Sequence, residues 1–251
     1  ICSMEESSVG TRTIALVSSQ WGDQTFGVVR QRRTKHQEIK WNYENPLINH
    51  GPIGEILKTQ VSAMILTGGT SSRFGSDKSQ ARIGATSLIE NLLITLPSEM
   101  DIVIVGPELD KAPRQVRYMQ EEPLGGGPVA AIEAGLGLIN SEFVFIVATD
   151  MPFASQILTA LTANPPETDD VTIPLDSSGM RQPLCALYRR NALVRAINEL
   201  GSTPGQSLRN LIKRMSVREL QLDPALRRIL LDIDTPADLE RAISLDGEQE
   251  N

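Results

Sequence analysis

EFVFIVATD (142–150) reads as a β-strand buried on both faces. Phe143 to Ala148 is an unbroken apolar run, rich in β-branched and aromatic residues and too short for a helix. Thr149-Asp150-Met151-Pro152 ends it, so an acid stands at the carboxyl end of a central strand. Working outward, the same grammar repeats on both sides. VSAMILT (61–67), DIVIVG (101–106), VRYMQE (116–121), VTIPL (171–175), PLCALYR (183–189) and RRILLDI (227–233) read as strands. TSLIENLLITL (86–96), GPVAAIEAGLGLI (127–139), QILTALTA (156–163), NALVRAINEL (191–200), SLRNLIKRM (207–215) and TPADLERAI (235–243) read as helices. Pro128 and Pro236 suit first helical positions, and Thr235 suits an N-cap. Alternating strands and helices predict an α/β fold, a doubly wound and mostly parallel sheet with helices on both faces. Such sheets bind ligands at the carboxyl ends of their strands.

Residues 1–60 lack this regularity. TIALVSS (13–19) and TFGVVRQ (25–31) suit short strands, whereas RQRRTKHQEIK (30–40) is basic and polar and NYENPLINHGPIGE (42–55) is broken by Pro and Gly. The expected division is a poorly structured N-terminal extension or linker, 1–60, with a small appended module as the alternative, followed by a catalytic body, 61–251.

Composition narrows the chemistry. His36, His50, Trp21 and Trp41 all lie in the first 60 residues, and Cys185 is the only cysteine after Cys2. The body therefore has no Ser-His-Asp or Cys-His nucleophile and no His- or Cys-ligated zinc. An enzyme built on it works with carboxylates, Lys, Arg, backbone amides and a hard metal ion. A net charge of −7 argues against nucleic acid as a partner. No stretch approaches the roughly 18 apolar residues of a membrane span, and ICSMEESSVG is unlike a signal peptide. Two cysteines make no disulfide framework and suit free thiols in a reducing cytoplasm. Ile1 is an unusual first residue, with Met4 as an alternative start.

Four motifs carry chemistry. LTGGTSSRFGSDK (66–78) follows a strand; its glycines let backbone N–H groups approach an anion, and Arg73 and Lys78 add charge. Five residues separate Gly69 from Gly75, and Ser76-Asp77 precede Lys78, so this is neither a Walker A loop nor a GxGxxG turn. Asp150 is placed to hold Mg²⁺, which favours one or two carboxylates plus substrate phosphates. Glu121-Glu122-Pro123-Leu124-Gly125-Gly126-Gly127-Pro128 admits two readings: a solvated acidic turn, or an acid accepting from guanine N1–H and N2–H₂ beside a glycine turn that a ligand can approach. Asp232 and Asp234, at i and i+2 on the expected last strand, either support a metal or substrate or serve the following helix cap.

LTGGTSSRFGSDK, GGGPVAAIEAGL, ATDMPF, RQPLCALYRR and DIDTPADLE, in that order, resemble the motifs of the MobA-like nucleotidyltransferase family, the molybdenum cofactor guanylyltransferases. The resemblance spans about 61–243 and implies a GT-A-like fold that transfers GMP from GTP to the phosphate of molybdopterin, releasing pyrophosphate. It implies backbone contacts to base and sugar from Leu66, Thr67 and Gly68, with Gly69 near the phosphates. Arg73 and Lys78 would hold the triphosphate, Asp150 would bind Mg²⁺, and Glu122 would read guanine where the family usually has Asp. Arg181, Gln182, Asp232 and Asp234 would lie near the acceptor. Molybdenum cofactor carrier or insertion proteins are implied partners. Thr67 stands where Ala is usual, Phe74 where Met is usual, and Gly106-Pro107 where many members have Asn. The alternatives are a relative using another base or acceptor (cytidylyl transfer to molybdenum cofactor, a phosphosugar or a phospho-acid) and a non-catalytic nucleotide-binding protein.

Overall fold

The structure, a computed structural model, describes residues 60–67, 82–83 and 86–249, with side chains to 245, and the backbone of three strands nearer the N-terminus. The chain divides into two compact units, Ile1–Glu55 and Ile56–Asn251. In the first, β1 (Thr13–Ala15), β2 (Val28–Arg33) and β3 (Ile39–Asn42) form an antiparallel sheet in that order. The first two overlap the expected strands; the third straddles the end of the polar stretch 30–40, where no strand is expected.

The second unit is built on β4 (Val61–Leu66), β7 (Asp101–Val105), β8 (Arg117–Met119), β9 (Phe143–Ala148), β10 (Val171–Leu175), β11 (Cys185–Arg189) and β12 (Val217–Gln221), with the small hairpin β5 (Arg82–Ile83) and β6 (Thr86–Ser87) beside them. The sheet order is β12-β10-β11-β9-β4-β7-β8. All neighbours run parallel except β11, antiparallel to both β9 and β10. β4 and β9 lie side by side at the centre, and every residue of both is buried, as their unbroken apolar runs require.

Side-chain alternation sends successive residues to opposite faces. Ala63, Ile65, Ile102, Ile104, Phe145 and Val147 pack on one face against α1 (Leu88–Thr95), α3 (Ala154–Ala163) and α7 (Pro236–Gln249). Met64, Leu66, Val103, Val105, Val144 and Ile146 pack on the other against α2 (Pro128–Leu136), α4 (Arg190–Leu200) and α5 (Leu208–Ile212). Cys185 is buried within β11, and burial pushes its thiol pKa up, so it is an inert core group. Cys2 lies outside the described residues.

One strand expectation fails. Residues 227–233 form no strand: Pro224–Ile229 is a short helix, α6, capped by Asp223, whose carboxylate accepts from Leu226 N at 2.9 Å. Asp-Pro starts a helix here, and that local signal overrides the apolar run after it. The last parallel strand is instead β12, an edge strand whose charged residues hid it.

Candidate functional site

The parallel strands end along one edge, and Thr67, Gly106, Glu121, Thr149 and Asp176 follow them there. Leu66 and Thr67 are the last described positions before the glycine-rich loop; Gly68, Gly69, Arg73 and Lys78 lie outside the described residues. Thr149 N donates to Leu66 O at 3.2 Å, tying the ends of β9 and β4. Thr67 donates from both N and Oγ1 to Val105 O, each at 3.0 Å, tying β4 to β7. The hydroxyl occupies the space beside Gly106: a Cβ there would stand 1.8 Å from Thr67 Oγ1, and Gly106 has φ +142°. Residue 106 must be glycine while residue 67 is threonine. Thr67 and Gly106 are thus sterically linked.

Asp150 follows β9 and is partly exposed. Its carbonyl accepts from Ile233 N at 2.9 Å, which brings the 232–234 segment to this edge without any strand. Partial burial of the carboxyl raises the pKa of Asp232, and the charges of Asp234, Asp150 and Asp238 raise it further, although the residue as a whole stays exposed. Helix α7 does not need Asp234 as its cap. Thr235 fills that place, with Thr235 N and Oγ1 donating to Asp238 Oδ2 at 2.9 and 2.7 Å and Asp238 N donating back to Thr235 Oγ1 at 3.3 Å. Among the described residues no three His, Cys, Asp or Glu side chains form a ready metal cluster. Asp150, Asp232 and Asp234 are the carboxylates of this edge whose chemistry suits a divalent cation.

The acidic glycine turn follows β8. Glu122 is exposed, and Glu121 accepts from Gly125 N at 3.1 Å. Gly126 is buried; a Cβ would meet Ala130 Cβ at 2.9 Å and Pro123 O at 3.0 Å. Gly127 precedes α2 and supplies no capping side chain, so the first N–H groups of that helix face the turn.

Arg181 and Gln182 sit between β10 and β11 on the same edge. Arg181 Nε and Nη2 each lie 2.7 Å from Glu219 Oε1, an exposed pair of the kind that opens easily. Gln182 donates to Asp176 Oδ2 at 2.8 Å, while Asp176 Oδ1 accepts from Ser178 N and Oγ and from Met180 N. Burial works to raise the pKa of Asp176, but these bonds outweigh it and hold the carboxyl below its ordinary range. Glu219 and Asp176 escaped sequence reading. The Asp-Ser-Ser-Gly turn signature could have found the second; no local signal marks the first.

The chain has relatives among known proteins. Residues 63–220 match the family model described as a MobA-like NTP transferase domain. A probable molybdenum cofactor guanylyltransferase of Natranaerobius thermophilus is 30% identical over 76% of this chain and 98% of its own length. Another, from Carboxydothermus hydrogenoformans, is 29% identical over 74% of this chain and 96% of its own. The fold is shared with the molybdopterin-guanine dinucleotide biosynthesis protein A of Archaeoglobus fulgidus (TM-score 0.57, 24% identity, 74% of this chain and 99% of that one). It is shared equally with 4-diphosphocytidyl-2C-methyl-D-erythritol synthase of Anaerococcus prevotii (TM-score 0.56, 15% identity, 77% and 99%), so fold alone does not select the base. With most of the second unit matched by that model, the chain belongs to the MobA-like NTP transferase family.

Proposed function

We propose that this chain is a cytoplasmic, Mg²⁺-dependent guanylyltransferase that transfers GMP from GTP to the terminal phosphate of molybdopterin. The observation that carries the reading is the meeting of Asp150 with the 232–234 segment at the carboxyl edge of the sheet, where Ile233 N donates to Asp150 O at 2.9 Å. Catalysis belongs to residues 61–251; residues 1–60 are an extension outside it. No described helix is long and apolar enough to cross a membrane.

The donor set suits a divalent cation. Asp150 and Asp232 offer hard carboxylate oxygens, the donors that a divalent cation takes. Bound there, Mg²⁺ neutralises charge on the triphosphate. Lys78 and Arg73 hold the phosphates, Lys78 nearest the α-phosphate. Leu66, Thr67, Gly68 and Gly69 present backbone to the nucleotide, and Glu122 accepts from guanine N1–H and N2–H₂. Arg181 and Gln182, with Asp234, border the acceptor. The phosphate oxygen of the acceptor attacks the α-phosphorus in line. A P–O bond forms to that oxygen, the bond to the α,β-bridging oxygen breaks, and pyrophosphate leaves with its electron pair. The nucleophile is already anionic, so no general base is required, in keeping with a body without histidine. Positioning and charge neutralisation supply the acceleration. Carrier or insertion proteins for the molybdenum cofactor are the expected partners, with neither nucleic acid nor membrane among them.

The test is pyrophosphate release by the full chain with Mg²⁺, molybdopterin-loaded carrier and each of the four nucleoside triphosphates in turn. GTP alone should give turnover and a dinucleotide product. Faster turnover with CTP, or none with any nucleotide, would overturn the reading.

A further inference from the structure

The loop joining α4 to α5, GSTPGQS (201–207), belongs to none of the motifs above, yet it grips the glycine turn from behind. Gly205 N donates to Gly126 O at 2.8 Å. Thr203 is buried and donates Oγ1 to the carboxylate of Glu133, which lies on α2 just beyond that turn. Only three polar or charged residues are buried among the described residues, and the other two, Ser62 and Thr172, stand in sheet strands. A buried loop hydroxyl bonded to a charged acceptor is a strong tie, roughly twice a neutral bond. The turn has little freedom of its own, since Gly126 N donates to Pro123 O at 3.0 Å and no Cβ fits at Gly126. The bond from Gly205 N ties the 201–207 loop to this turn at its buried glycine.

We propose that Thr203 is a positioning residue for base discrimination: through Glu133 and Gly126 the 201–207 loop fixes the glycine turn, and with it Glu122, against the edge of the purine. This rests on the assignment of Glu122 to guanine. Phosphoryl transfer at Asp150 occurs at the end of another strand, so the brace governs choice of base rather than turnover.

The experiment compares GTP with ITP, which lacks the 2-amino donor, in pyrophosphate release by the full chain. For Thr203→Val the ratio of kcat/KM for GTP to that for ITP should fall about tenfold while kcat for GTP stays within about twofold. Thr203→Ser keeps the hydroxyl and should restore the ratio. Glu133→Ala, at an exposed helix position that tolerates alanine, removes the same bond from the other side and should repeat the loss even if Thr203→Val folds poorly. A wild-type chain that prefers GTP to ITP, with a Glu133→Ala variant of unchanged ratio, overturns the brace alone. A wild-type chain indifferent to the 2-amino group overturns the guanine assignment and the brace together.

Discussion

Two charged clusters at opposite edges of the large sheet differ in how they are held. At the amino edge charge is tied off. Ser141 Oγ donates to Ser62 Oγ at 2.9 Å, Ser62 Oγ donates to Asp101 at 3.0 Å, and Arg117 closes on the same carboxylate. Arg195 and Ser216 hold Asp170, and Arg189 pairs with Glu142 at 2.7 Å. At the carboxyl edge Asp176 and Arg181 are tied in the same manner, but beside Asp150 the carboxyl of Asp232 is shifted upward, first by partial burial and then by the charges of Asp234, Asp150 and Asp238. One edge is arranged for stability. On the proposed function, the repulsion around Asp232 at the other edge is what a bound cation would relieve, a compromise common at functional sites. Substitutions at the two edges should therefore separate activity from stability.

The largest effect is expected at the carboxyl edge. Asp150→Ala should cut kcat by about 10²–10³, the scale of losing one preorganised electrostatic group, while the thermal transition stays in place. Equal loss of activity and folding would mean that Asp150 is structural and that the contrast between edges is misplaced.

Gly106→Ala comes next, and it breaks the contrast from within, because this carboxyl-edge residue is there for packing. The new Cβ meets the Thr67 hydroxyl at 1.8 Å in a backbone conformation that side chains rarely adopt. A loss of about 2–3 kcal/mol by denaturant unfolding is expected. Thr67→Ala in the same chain should return part of it by removing Oγ1. The remainder is backbone strain plus the 3.1 Å approach to Thr67 Cβ.

At the amino edge, Arg114 gathers the end of α1 and the entry to β7. Its guanidinium donates to Leu96 O and Met100 O at 3.0 Å and to Ser98 O. Arg114→Ala should cost about 1–3 kcal/mol, since the carbonyls lose their donors, with GTP turnover per folded molecule unchanged. A fall in kcat at constant stability would show that the amino edge reaches the chemistry.

What could be read in advance follows the same division. β4 and β9 were legible because strands buried on both faces must be continuous apolar runs, and Asp150 was legible because it ends one. The last strand was misassigned because Ile229 to Leu231 is apolar, while the decisive Asp223-Pro224 start lies upstream and β12 shows the polar face of an edge. The site's parts were readable as residue types, but not their meeting. The bond from Ile233 N to Asp150 O, the pairing of Arg181 with Glu219 and the grip of Gly205 on Gly126 are tertiary contacts between segments far apart in the chain. Local sequence carries no trace of such pairs.

The smallest effect sharpens the comparison most, because its sign is unusual for an active-site substitution. Asp232 has a raised pKa in the fold, so its ionised form is less favourable there than in the unfolded chain. Folding is therefore penalised as pH rises through the folded value, and the penalty is absent well below the ordinary 3.8. Asp232→Asn keeps the shape and removes the charge. Its Tm should exceed that of the wild type near neutral pH, by a small margin because the group is exposed and screened, and by less at high salt. The difference should vanish in acid. Adding Mg²⁺ should raise the wild-type Tm more than that of Asp232→Asn, because only the wild type has the full repulsion to relieve. A variant less stable than the wild type at neutral pH would show that Asp232 is held by favourable partners after all, and that the two edges of the sheet are built alike.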